Sequence, residues 1–217
     1  ESGALEYHLA LRGGEPFQVR IEPSAEPVPS SAFAVRQSTS YSVAASGTQV
    51  DARFRITPLD ASIQEVGLRC PSHYQLVDLT LGGQSLEFTE RASPSGGDER
   101  IVSVTLRQTL PASETELRVR AIAAANLDGM TALPPIRLNR SAWLGGTVHL
   151  AVDDDLQLEE LIHEGFRTGG TEPTVPAAAP QLTFEQLVPQ ASLRLPVARA
   201  PKRLHGPSPL RRSRAAV

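Results

Sequence analysis

The residue types that could do chemistry in this chain are few, and their spacing is loose. The densest acidic cluster is Asp153, Asp154 and Asp155, with Glu159 and Glu160 just beyond. Calcium needs several hard oxygens converging at about 2.3–2.6 Å, and adjacent aspartates at a strand end can supply two or three. That makes calcium the one cofactor the chain suggests. The alternating Asp-x-Asp-x-Asp-Gly spacing of a dedicated calcium loop is absent. The competing reading is a solvated turn whose charges favour the N-terminus of a following helix. Trp143, the only tryptophan, precedes Gly145-Gly146. It is a candidate for stacking on a carbohydrate ring, with Tyr41 or Tyr74 as a second platform. A tryptophan plugging the core is the alternative, because a large aromatic contributes so much burial.

Other reactive types point nowhere in particular. Cys70 is the only cysteine, so no intrachain disulfide exists. It continues the series Val66, Leu68, Cys70, the pattern of a buried small hydrophobe. A catalytic thiol would need a neighbouring base, and His73 lies three residues on. His8, His73, His149, His163 and His205 are scattered, without the local spacing of a zinc site. Serine, histidine and aspartate all occur, but no Gly-x-Ser-x-Gly elbow does. Paired glycines at 13–14, 82–83, 96–97, 145–146 and 169–170 lack the spacing of a phosphate cradle and read as turns. Asn139-Arg140-Ser141 matches a glycosylation sequon, relevant only in a eukaryotic source.

Composition narrows the class. The chain has 217 residues, enough for one large or two small domains; 40% are hydrophobic and only 5% aromatic. The net charge of -3 hides an asymmetry, because no Asp or Glu follows Glu185. Removing the 7 basic residues from Arg194 onward leaves 14 against 24 acids, so residues 1–190 carry -10. An acidic body repels phosphates, so no nucleic-acid partner is expected. Of the 21 basic residues only Lys202 is lysine, a bias that points to a GC-rich bacterial coding sequence. No apolar run in these 217 residues is long enough for a transmembrane segment, and none has the pattern expected of a signal peptide. The chain opens on Glu1, which suggests a processed or excised piece.

The elements that must position these residues are strands. Leu5, Tyr7, Leu9 and Leu11 alternate with polar residues, as do Val50, Ala52, Phe54 and Ile56. Successive strand side chains point to opposite faces, so this period of two marks a sheet with one buried and one wet face. Ten to twelve such strands, with turn signals every eight to twelve residues, predict an all-β fold: an antiparallel β-sandwich, immunoglobulin-like or similar, in one large or two small modules. Slips at Ile63/Val66 and at Leu76/Leu79 predict β-bulges. Leu86 and Phe88 read as a short strand. Leu158, Leu161, Ile162 and Phe166 fall at helical spacing, so a short helix near 155–167 is expected, with a strand over 156–161 as the competitor. The expected organisation is an N-terminal hairpin or the end of a preceding module over 1–30 and a sandwich domain over 31–153. A helix or extended linker with partial strands follows over 154–198, then a disordered basic tail over 199–217.

The strand FRIT at 54–57, VGLRCP at 66–71, YQLVDLTLGGQSLEF at 74–88 and VTLRQTLPASETELRVRAIA at 104–123 together resemble the β-sandwich modules of large cell-envelope proteins from GC-rich bacteria such as planctomycetes. The resemblance covers about residues 33–152. It implies an adhesive or scaffold role outside the cytoplasm and no catalytic residues. The expectation is therefore a non-enzymatic structural or interaction module of a bacterial envelope or secreted protein. Its partners would be other modules of the same protein or other envelope proteins, met through loops 92–99, 126–135 and 141–147. A carbohydrate-binding accessory module and an enzyme with a dispersed site are the two alternatives.

Overall fold

The computed structural model describes residues 32–59, 63–93, 97–106, 110, 113–125, 129–158, 161–168 and 181–199. They form strands and connections, with no helix among them. In chain order the strands are β1 (Phe33–Ala44), β2 (Gly47–Pro58), β3 (Glu65–Pro71), β4 (Gln75–Leu81), β5 (Gln84–Ser85), β6 (Thr89–Ala92), β7 (Glu99–Thr105) and β8 (Thr115–Ala123). There follow β9 (Met130–Leu133), β10 (Arg137–Leu138), β11 (Ser141–Val152), β12 (Leu156–Leu158), β13 (Ile162–Glu164), β14 (Phe166–Thr168), β15 (Gln181–Gln186) and β16 (Ser192–Arg199).

The long alternating segments build the frame. In β1, Phe33, Val35, Tyr41 and Val43 point inward with Gln37 and Thr39, while Arg36 and Ser42 point out. β2 repeats this with Val50, Ala52, Phe54 and Ile56 inside. They anchor an eight-stranded sheet in the order β14-β15-β11-β1-β2-β8-β4-β5. A four-stranded sheet, β10-β3-β7-β6, buries Val66, Leu68, Cys70, Val102 and Val104 in the same hydrophobic cluster. In a third sheet β16 pairs with β9, β12 and β13 and adds Leu193, Leu195 and Val197 to that cluster. The sandwich read from the sequence is the architecture observed.

Several details differ from expectation. Instead of a helix near 155–167 there are β12, β13 and β14, with a bend at Gly165 (φ 76°) between the last two. β12 and β13 run in the same direction along β16, one residue out of register, and β14 departs at Gly165 to pair with β15, so apolar residues of separate short strands fall at helical spacing without a helix. Residues 181–199 complete this sandwich: β15 pairs antiparallel with β11, and Phe184 is fully enclosed. β1 and β11 run parallel, the one such pair among the described strands. Ile63 precedes β3, so the slip there is a strand start. The slip at Leu76 is a real irregularity, with Val77 left out of the pairing with β8. Leu86–Phe88 connect β5 to β6 and form no strand. The hairpin expected over 4–21, the rest of 1–31, the segment 171–180 and the tail from residue 200 lie outside the described residues.

Candidate functional site

Strand register assembles one cluster that linear spacing hides. On the outer face of the four-stranded sheet, Arg137, Arg69, Ile101 and Arg91 form one cross-strand row, because β10 pairs with β3, β3 with β7, and β7 with β6. The next row holds Gly67, Ser103 and Thr89. Asn139 closes it by donating its backbone N–H to the Gly67 carbonyl at 2.8 Å. A basin of about 520 Å³ opens here, lined by Gly67, Arg69, Arg91, Ile101, Asn139 and Arg140 among others.

Its parts are locally fixed. A Cβ on Gly67 would sit 3.0 Å from Asn139 Nδ2 and 3.4 Å from Asn139 Cβ, so the absent side chain lets Asn139 lie across β3. Asn139 Oδ1 then accepts a hydrogen bond from Arg69 Nε at 3.0 Å and orients that guanidinium. Arg140 sits at φ 53°, a left-handed conformation that suits Gly or Asn far better than arginine. It turns the chain from β10 into β11, and its carbonyl accepts from the Ala32 N–H at 2.7 Å. Arg137 is tied to Glu99. Among the described residues no carboxylate lies within ion-pairing distance of Arg69, Arg91 or Arg140.

A second recess of about 430 Å³ shares Arg69, Asn139 and Arg140 with the first and is bounded by Gln37, Trp143 and Pro189. Trp143 lies within β11, so the expected loop 141–147 is strand. The register shifts there: Val35 faces Trp143 and Arg36 faces Gly145, which leaves Leu144 unopposed and 57% exposed, with Gly145 at φ 136°. This bulge replaces the turn expected at Gly145-Gly146. The Trp143 ring is half-buried, and its Nε1 is enclosed without a hydrogen-bond partner. Tyr41 and Tyr74 are 2% and 1% exposed, and both phenols donate to the Pro134 carbonyl, at 3.3 and 3.0 Å. Burial pushes both phenols well above their ordinary pKa. They are core residues and cannot serve as sugar platforms, because stacking needs an exposed ring face.

The remaining sequence candidates stay apart. Asp153, Asp154 and Asp155 form an exposed turn between β11 and β12, closed by the Leu156 N–H on the Asp153 carbonyl at 3.0 Å. No three His, Cys, Asp or Glu among the described residues converge as metal ligands. Cys70 is fully buried, and that burial pushes its thiol up to about 11, so it is no nucleophile at neutral pH. His73 instead contacts Tyr74 edge-on and approaches Asp98 at 3.9 Å.

One juxtaposition was invisible in the sequence. Ser40 pairs with His149 on β11 and with Asp51 on β2, so the three share a cross-strand row. A serine relay needs the imidazole between hydroxyl and carboxylate. Here Ser40 occupies the middle strand. Asp51 is clamped by Arg118 (Nε 3.0 Å, Nη2 2.6 Å) with Arg53 at 3.5 Å, and His149 Nδ1 meets Thr183 Oγ1 at 3.2 Å. Partial burial works to raise the Asp51 carboxyl, but the hydrogen bonds and charges of Arg118 and Arg53 outweigh it and hold the group below the usual carboxylate range. Burial also lowers the His149 pKa. The residue types are right for a relay and the order is wrong.

No protein-family model and no curated protein matches the chain. Among solved structures it is similar over 80% of its length to an M1 zinc metallopeptidase from Deinococcus radiodurans, covering 46% of that chain at 16% identity and a TM-score of 0.49. It is likewise similar over 80% to leukotriene A4 hydrolase from Saccharomyces cerevisiae, covering 32% of that chain at 15% identity and a TM-score of 0.49. The chain thus spans less than half the length of these structures. No helix among the described residues is long and apolar enough to cross a membrane.

Proposed function

We propose that this chain is a non-enzymatic interaction module of a bacterial envelope or secreted protein. Its sheets act as a rigid support that presents the Arg69–Asn139–Arg140 corner to another module of the same polypeptide or to a neighbouring envelope protein. The observation that carries this reading is the meeting of two open recesses at that corner, with arginines held out on strands and a tight turn rather than on long loops. A side chain on a paired strand loses little further freedom on binding, so such a surface is preorganised. The arginine-for-lysine bias supports the bacterial source, and the resemblance over residues 33–152 supports the envelope setting.

The test is a photo-crosslinking side chain placed at Ser103, inside the basin, or at Gln49, on the outer face of the large sheet, in the native cell. Ser103 is expected to give one discrete adduct, identified by mass spectrometry as an exported polypeptide, and Gln49 none. Equal adducts from both positions, or none from Ser103, overturn the reading. So does a hydrolytic activity of the homogeneous protein that disappears in His149→Ala.

A further inference from the structure

We infer that the basin on the outer face of the four-stranded sheet binds an extended peptide segment bearing carboxylates, through Arg69, Arg91 and Arg140. This rests on the proposed interaction role and names the chemistry of the partner.

The first observation is charge left unspent. Among the described residues six guanidiniums are matched: Arg118 and Arg53 on Asp51, Arg120 on Asp78 at 2.8 Å, Arg100 on Glu90 at 3.1 Å, Arg137 on Glu99 and Arg167 on Glu185, while Arg36, Arg55 and Arg194 stand without an ion pair but line neither recess. Around the basin three guanidiniums have no carboxylate partner among the described residues, and Glu65 is the single acid among the lining side chains. The second observation is an arginine kept where backbone geometry disfavours it. Arg140 occupies a left-handed position that glycine or asparagine fills at lower cost, and a residue held in a strained conformation marks a site with work to do. The third is a positioning device: glycine at 67 admits Asn139, and Asn139 aims Arg69.

The shape favours a peptide over a phosphate. Arg69 and Arg91 flank Ile101 across two strand spacings, about 10 Å between Cα atoms. The guanidiniums are therefore spread along a half-buried apolar floor and do not converge on one point. An extended chain repeats side chains on one face about every 7 Å, so two carboxylates can each meet an arginine fork while an apolar residue between them covers Ile101.

The probe is the fluorescein-labelled octapeptide (Glu-Val)4, with (Gln-Val)4 as its neutral counterpart, followed by fluorescence anisotropy on the full 217-residue chain. Saturable binding of the acidic peptide alone is expected, weakened by raising NaCl from 50 to 500 mM. Arg69→Gln, Arg91→Gln and Arg140→Gln should each weaken it about tenfold, one lost charge-assisted pair each. Asn139→Ala should weaken it about threefold by releasing Arg69, and Glu65→Gln should tighten it about twofold. Arg194→Gln, the same charge change outside the basin, should stay within twofold. Circular dichroism melts confirm that each variant is folded. The inference is overturned by no binding up to 1 mM, by equal losses in Arg194→Gln and Arg69→Gln, by tripolyphosphate displacing the probe at lower concentration than unlabelled peptide, or by self-association that Arg69→Gln abolishes. If the peptide fails while Ser103 still yields its discrete adduct, the interaction role stands and only the carboxylate chemistry falls.

Discussion

On the outer face of the large sheet Asp51 gathers Arg118 and Arg53, Asp78 takes Arg120, and Arg55 faces Glu116 across β2 and β8. On the outer face of the small sheet Arg69 and Arg91 stand in one row around an isoleucine, with no acid to meet them. Both faces are wet, both are built from alternating strands, and both carry arginine. What separates them is a carboxylate within reach. Arg53 and Arg118 face each other across β2 and β8, yet Arg118 reaches Asp51 on the diagonal and Arg53 reaches it along β2, and opposite-charge neighbours of this kind contribute about 0.2–1 kcal/mol and neutralise each other. Among the described residues Arg69 and Arg91 reach no carboxylate and stay available to a partner.

The comparison can be broken or sharpened by substitution. The largest effect concerns the frame under both faces. Phe184→Ala empties an enclosed site beside Phe166 and should cost about 3–5 kcal/mol in urea unfolding. A loss under 1 kcal/mol would mean that β15 is not integral to the body carrying the two faces. Arg140→Gly should instead stabilise by about 1 kcal/mol, since glycine accepts the left-handed backbone, while lowering affinity for the acidic peptide. Stability lost together with binding would recast Arg140 as a structural residue.

Asp51→Asn should cost about 0.5–1 kcal/mol at pH 7, the modest value expected for a solvent-screened pair. The folded pKa of Asp51 is depressed, so its contribution is present above about pH 4 and disappears as pH falls through the lower folded value. The variant's stability deficit should therefore shrink in acid, as followed by thermal melts between pH 2 and 7. Arg91→Gln, on the unpaired face, should change stability by less than about 0.5 kcal/mol at any pH in that range. Equal costs for Asp51→Asn and Arg91→Gln would erase the distinction between the faces.

The frame was readable because its strands are long and one-sided. β1, β2 and β8 each bury alternate residues over nine or more positions, and nothing competes with a period of two at that length. β12 to β14 were readable only in part: the competing strand over 156–161 contains β12, but three residues cannot show a period, and the bend at Gly165 leaves Ile162 and Phe166 at helical spacing. The basin was hidden for another reason. Gly67, Arg69, Arg91, Asn139 and Arg140 are unremarkable in sequence and become a group only through the pairing of β3 with β7, β7 with β6, and β10 with β3. Trp143 was visible as a candidate, but the bulge that sets it could not be inferred from Gly145-Gly146, which reads equally well as a turn.

The parallel pairing of β1 with β11 has a consequence for biosynthesis. β1 finds β2 at once, yet its other edge waits for Ser141–Val152, about 100 residues further along the ribosome's output. Until then a twelve-residue strand leaves a row of main-chain donors and acceptors open to any neighbour. Nascent chains halted before β11 should therefore clump or recruit chaperones, and chains released after β15 should not.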